Sequence, residues 1–294
     1  MTLQEAYKEL DKLNRKTSFT EEEEFRMLEL LQFLLEETKD PRYAEEIGGI
    51  YYEKRIFDKA LKYYEIADEL GSSWAANGLG YIWYYGRTGS KDYEKAFKAF
   101  SKSAELNRRK HHNAWIEAMF KIADMYKNGY YVEKDFSRYR EIIEELAKDP
   151  GFHLPEVYTR LAAIRIAEGR EEDAVDLYLQ AREELAYRLS HNRFFGDLNR
   201  MNWLVNDLYK LIEFDPLDFD LYDLYYLLKQ EHTVSFRYRE KRYTVSSVRD
   251  GEEMTVTYDG QHYRSLDDFF RKADLDREAI EAHYYQMDDW RVEG

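Results

Sequence analysis

AANGLGYIWYYGRTGSKDYEKAFKAFSKSA, residues 75–104, decides the architecture of this chain. Apolar residues recur at three- and four-residue spacing on either side of the Gly86 to Gly89 break, the pattern of two amphipathic helices joined by a turn. In the first helix, Gly80 follows Leu79 and precedes Trp83 by three positions. In the second, Ala96 is followed four positions later by Phe100. The same arrangement returns in IGGIYYEKRIFDKALKYYEIA (47–67), IADMYKNGYYVEKDFSRYREIIEELA (122–147) and LAAIRIAEGREEDAVDLYLQA (161–181). Each unit has a small residue in its first helix, Gly48, Gly80, Ala123 or Ala162, where that helix must approach a neighbour closely. Its second helix contributes Ala60, Ala96, Tyr139 or Ala174, then a larger Tyr64, Phe100, Ile143 or Tyr178. Such helical pairs cannot bury their apolar faces alone and must stack.

The 75–104 segment resembles a Sel1-like repeat, whose pattern reads roughly A-x-x-x-L-G-x-x-Y-x-x-G, a short turn, then D-Y-x-K-A. The next unit keeps Gly129, Val132, Asp135 and Phe136 but has Tyr139 for the alanine. The units around Gly48 and Ala162 have the shorter turn of plain tetratricopeptide repeats. The resemblance covers about Pro41 to Leu185 and implies a mainly α protein built as a right-handed α-α superhelix. Helices near Leu3 to Leu13 and Glu21 to Glu37 are expected to cap one end, with Thr20 starting the second. RFFGDLNRMNWLVNDLYKLIEF and PLDFDLYDLYYLLKQ are expected to cap the other.

From His232 the period changes from helical to alternating. VSFRYRE, KRYTVSSV and EEMTVTYDG read as a three-stranded antiparallel meander with turns at Arg239 to Lys241 and Asp250-Gly251. SLDDFFRKA, capped by Ser265, and DREAIEAHYYQMDDW then read as two helices. The expected division is a helical solenoid over 1–230 and a small α+β domain over 231–294.

Composition narrows the function. A formal charge of -15 disfavours phosphate backbones and anionic membranes, and no stretch approaches the roughly 20 apolar residues of a membrane span. The absence of cysteine excludes disulfides and thiolate chemistry and fits a cytoplasmic protein. Gly78-Leu79-Gly80 lies inside a helix without a preceding strand, so close packing explains it better than a phosphate cradle. The seven histidines show no zinc spacing, and no nucleophile motif is present. The expectation is a noncatalytic protein with no cofactor and no metal.

Two surfaces are candidates for recognition. In tetratricopeptide arrays the first-helix residues on either side of the small residue line a groove. Carried over, the resemblance implies Arg42, Glu45 and Tyr52; Trp74, Asn77, Tyr81, Tyr84 and Tyr85; and Glu117, Asp124 and Lys127. Aromatic rings flanked by carboxylates suit a protein or peptide partner carrying basic residues. The second candidate is Arg108-Arg109-Lys110, a basic run that suits an anion contact. It lies on a link where Gly80 to Ala123 spans 43 residues against 32 from Gly48 to Gly80, so the link is read as an insertion or a lengthened second helix. Sel1-like proteins are adaptors in general, which the resemblance extends to this chain. The alternative is an acidic inhibitor or immunity-like protein that blocks the basic site of a nucleic-acid enzyme or toxin.

Overall fold

The computed structural model describes residues 1–16, 18–108, 111–191, 195–215, 220–251, 253–280, 283 and 286–293. By contact the chain divides into two compact units, Met1–Phe152 and His153–Gly294. The division falls at 152/153, whereas the sequence pattern points to 230/231.

The first unit is a series of helices in which each packs on the next. They are α1 (Leu3–Asn14), α2 (Glu21–Thr38), α3 (Pro41–Glu53), α4 (Phe57–Glu69), α5 (Ala75–Tyr85), α6 (Tyr93–Asn107), α7 (His112–Asn128) and α8 (Phe136–Leu146). Their ends are written in the sequence. Thr20 and Glu23 form a reciprocal capping box on α2, Asp40 caps α3 with Pro41 in its first turn, and Asp92 and Asp135 cap α6 and α8. Gly86 and Gly129 end α5 and α7 in the left-handed conformation.

The small residues do what the repeat pattern demands. A Cβ on Gly48 would lie 2.7 Å from the Tyr64 ring, and one on Gly78, in the next repeat, would lie 2.7 Å from the other edge of the same ring. Tyr64 is thus clasped between two glycine faces. At Gly80 a Cβ would meet the fully buried Phe100 ring at 2.5 Å. Close packing therefore accounts for Gly78-Leu79-Gly80. Ala60, Ala96 and Ala123 are completely buried, and Tyr139, which replaces the alanine, is 2% exposed. The long spacing between Gly80 and Ala123 is mostly a longer first helix: α7 has 17 residues against 11 in α5. The second helix α6, at 15 residues, contributes little of the difference from the 13 of α4.

The second unit contains α9 (Leu154–Ala167), α10 (Glu171–His191), α11 (Phe195–Leu208), a 3-10 turn at Leu221–Asp223 and α12 (Leu224–Lys229). An antiparallel sheet region with one helix follows: β1 (Thr233–Tyr238), β2 (Lys241–Asp250), β3 (Glu253–Tyr258), β4 (Gln261–Tyr263), α13 (Leu266–Lys272), β5 (Asp274–Leu275), β6 (Glu278–Ala279) and β7 (Met287–Glu293). One continuous core joins Ala162, Ala174 and Tyr178 of the helices to Val234, Phe236 and Val245 of the sheet. Residues 230 and 231 fall within this unit because α12 packs directly on β1 and β2.

The expected meander is present, with β1 and β2 in register at Phe236↔Tyr243 and β2 and β3 at Val245↔Tyr258. The sheet is larger than expected, with the order β4-β3-β2-β1-β7. The first of the two C-terminal helices forms as α13, capped by the Ser265 side chain. The second does not. Asp276 and Arg277 both adopt positive φ and turn the chain into the two-stranded β5–β6 pairing, and the Met287–Glu293 end becomes β7. Helix propensity loses here because β1 has Val234, Phe236 and Tyr238 buried, and its second edge needs hydrogen-bond partners. Strand β7 supplies them and lays Trp290 4.8 Å from Phe236.

Candidate functional site

Where α3, α4, α5 and the middle of α7 converge they line an open cavity of about 570 Å³. Its lining comprises Arg42, Glu45, Glu46 and Tyr52 from α3, Tyr64 from α4, and Glu117 from α7. Trp74, Asn77, Gly78 and Tyr81 come from α5 and its N-cap. The repeat packing explains why the cavity exists. Gly78 and Gly48 hold the Tyr64 ring against the helix backbones, which sets that ring in the wall of the cavity.

The polar groups are fixed by local chemistry. The Ser72 hydroxyl donates to Glu45 and accepts from the backbone N–H groups of Trp74 and Ala75 at 3.0 and 2.9 Å, so the start of α5 is tied to α3. Asn77 Nδ2 donates to Glu117 Oε2 at 3.1 Å, linking α5 to α7. Arg42 is held by Asp40, with nitrogen to oxygen distances of 2.6 to 3.1 Å. Trp74 is 42% exposed and rests its ring 5.1 Å from that of His111.

Burial raises the pKa of Glu45, against a lowering contribution from the Ser72 hydrogen bond. It raises Glu117 too, against the Asn77 amide. Glu46 touches solvent but is walled by the surrounding protein, and that desolvation raises it with nothing opposing. Tyr64 is pushed up to about 12 for the same reason, and Tyr81 is raised as well. The lining is therefore a group of partly desolvated acceptors set among aromatic faces.

Of the residues expected from the repeat pattern, Arg42, Glu45, Tyr52, Trp74, Asn77, Tyr81 and Glu117 meet in this cavity. Tyr84, Tyr85, Asp124 and Lys127 are not among its lining residues. Tyr84 and Tyr85 belong to an adjoining ring cluster with Tyr93 and Tyr130, into which Lys121 inserts its ammonium, 4.9 Å and 5.0 Å from their centroids. Lys127 lies over the Tyr139 ring at 5.2 Å, and Asp124 contributes a charge that raises Tyr84. Glu46, Tyr64 and Gly78 join the site without having been expected. Glu46 was legible as the residue one helical turn after Arg42. Tyr64 was assigned wholly to the seam, although it serves the seam and the cavity together.

In the basic run, Arg108 pairs with Glu145 at 2.9 Å. Arg109 and Lys110 lie outside the described residues. His111 and His112 diverge: the first stacks near Trp74, and the Nε2 of the second lies 2.9 Å from the Asp149 carbonyl. Among the described residues no group of three or more His, Asp or Glu side chains is placed to hold a metal ion, and no helix is long and apolar enough to cross a membrane.

Stacked helical pairs with glycine faces and a cavity lined largely by their first helices define the class: the helical part of this chain has the fold of a Sel1-like repeat array. The comparisons agree with that reading. Mouse protein sel-1 homolog 2 is 32% identical over 124 residues, 42% of this chain and 16% of the mouse protein. The human protein of that name is 27% identical over 161 residues, 54% of this chain and 20% of the human one. These matches span at most a fifth of the relatives' length. The solved Sel1 repeat protein from Oxalobacter formigenes shares the fold, with a TM-score of 0.50 and 21% identity over 65% of this chain and 72% of that one. No family model matches the chain.

Proposed function

We propose that this protein is a noncatalytic adaptor that binds a protein partner through the cavity on its first-helix face, holding a peptide segment that carries a basic residue. The observation that carries the reading is the lining itself: exposed Trp74, the rings of Tyr52, Tyr64 and Tyr81, and three glutamates, with Arg42, the one lining cation among the described residues, already paired to Asp40. Aromatic faces supply contact area at little entropic cost, and carboxylates select for positive charge. The adaptor role of Sel1-like arrays in general supports the same class.

The test is affinity capture from a lysate of the source organism, with the full chain and with its Trp74→Ala and Glu46→Arg variants as bait. Both positions are exposed, so neither variant is expected to lower the melting temperature. Loss of the same captured proteins from both variants is the expected result. An unchanged set would sink the assignment of this face.

A further inference from the structure

Strand β7 ends the five-stranded order, so among the described residues one of its two edges carries no further strand. Main-chain N–H and C=O groups along such an edge are a template for a strand of another chain. This edge is within reach of one, since the flanking side chains of Asp288 and Arg291 are 62% and 61% exposed.

The ladder between β1 and β7 is broken at one point. Ser235 faces Arg291 and Arg237 faces Asp288, so Asp289 and Trp290 together oppose the single residue Phe236. Asp289 takes the extra step with a φ of 50°, the left-handed conformation that glycine commonly supplies in such a bulge. Arg242 of β2 holds it there from two strands away. That guanidinium donates to the Ser235 hydroxyl at 3.2 Å as it crosses β1, then to the Asp289 carbonyl at 3.1 Å and to the Asp289 carboxylate. Arg291 Nε donates to the same carboxylate at 3.1 Å.

The core does not ask for this bulge. Met287, Trp290 and Val292 are the residues of β7 that pack on the apolar side. With Asp289 removed they would alternate with Asp288, Arg291 and Glu293 as in a regular strand, and Phe236 would face Trp290 alone. The extra residue therefore leaves the inward set as it would be without it and alters only the main-chain row.

We propose that Asp289 is an edge guard: an inserted residue, locked by Arg242, that interrupts the outer row of β7 so that a second copy of this chain does not add its own β7 there. The device goes beyond the adaptor reading and removes the sheet edge from the surfaces through which the chain associates.

The test is sedimentation velocity on the full chain and three variants: deletion of Asp289, Asp289→Val and Asp289→Gly. Valine resists a positive φ, whereas glycine adopts it freely. The deletion is expected to raise the apparent mass about twofold, to a symmetric dimer, at concentrations where the parent does not change. Asp289→Val is expected to shift the same way and Asp289→Gly to stay with the parent. An excess of a peptide spanning residues 287–293 without Asp289 is expected to return the deletion variant to the parent mass. Near-UV circular dichroism and the melting temperature identify which variants are folded. If the deletion and valine variants fold and neither associates, the guard is refuted. Association that the peptide leaves unchanged uses another surface and also refutes it, as does a glycine variant that associates like the deletion. If neither the deletion nor the valine variant folds, Asp289 is a structural requirement of β7 and the proposal falls.

Discussion

Two polar clusters of this protein use nearly the same residue types to opposite ends. In the second unit Arg182 of α10 reaches Asp220 at 2.6 Å and Asp223 at 3.0 Å, and Asp223 also accepts from the Tyr209 hydroxyl at 2.9 Å and from the Asp220 backbone N–H at 2.9 Å. Burial works against the Arg182 charge, but the two carboxylates outweigh it and raise its pKa. That cluster is closed, with a cation from its own chain. In the first unit, Glu45, Glu46, Glu117 and Asn77 line a cavity whose one lining cation among the described residues, Arg42, is already paired to Asp40. A closed cluster holds helices together, whereas partly desolvated carboxylates without a cation cost the fold some stability.

The comparison is broken most severely by opening the closed cluster. Arg182→Met leaves Asp223, which is 2% exposed, without its cation, and is expected to destabilise the second unit by about 3–5 kcal/mol in urea unfolding. Gly80→Ala is expected to come next. Its Cβ would press on Phe100 and disturb the frame of the open site at a cost of about 1–3 kcal/mol, partly recovered by Phe100→Leu in the double variant. Closing the open cluster runs the other way. Glu46→Lys puts a cation of the chain on the same cavity lining as Glu45 and Glu117, and is expected to stabilise the protein by about 0.5–1 kcal/mol while weakening capture of a basic partner.

The smallest effect is in the pH dependence. Glu45, Glu46 and Glu117 have folded-state pKa values raised above the ordinary 4.5, so protonation favours the folded form. Their favourable contribution is complete below 4.5 and is lost as the pH rises through the raised values. The triple Gln variant is therefore expected to be more stable than the parent at pH 7, by less than about 1 kcal/mol per site, with the gap closing as the pH falls toward 4.5. A gap that widens on acidification would mean that these carboxylates are stabilised as anions in the free protein.

The first-helix face was legible because the repeat pattern carries its own geometry. Once Gly48 and Gly80 are aligned, Glu45 and Asn77 occupy the equivalent place three residues earlier in each helix. What the pattern could not resolve was which members of the face share a space. Tyr84 and Tyr85 look equivalent to Tyr81 by spacing, yet the length of α7 brings Lys121 onto them and leaves Glu117 facing Asn77. Lys121 gave no signal of its own, since a lysine on a helix is ordinarily solvated. In the C-terminal region DREAIEAHYYQMDDW has helical composition, but the open edge of β1 decided its fate.

The sequence by itself determined the repeats, their caps and their seams. These follow from spacing of three and four residues, from capping side chains and from glycines that only a close neighbour explains, all of them local or set by the repeat. Tertiary structure decided which polar groups found partners. The insertion of Lys121 among the tyrosines, the enclosure of Asp223 by Arg182, and the reach of Asn77 to Glu117 depend on distances between helices. A linear pattern does not contain those distances, because hydrogen bonds and charges are satisfied across helices by whichever side chain the packing brings within reach.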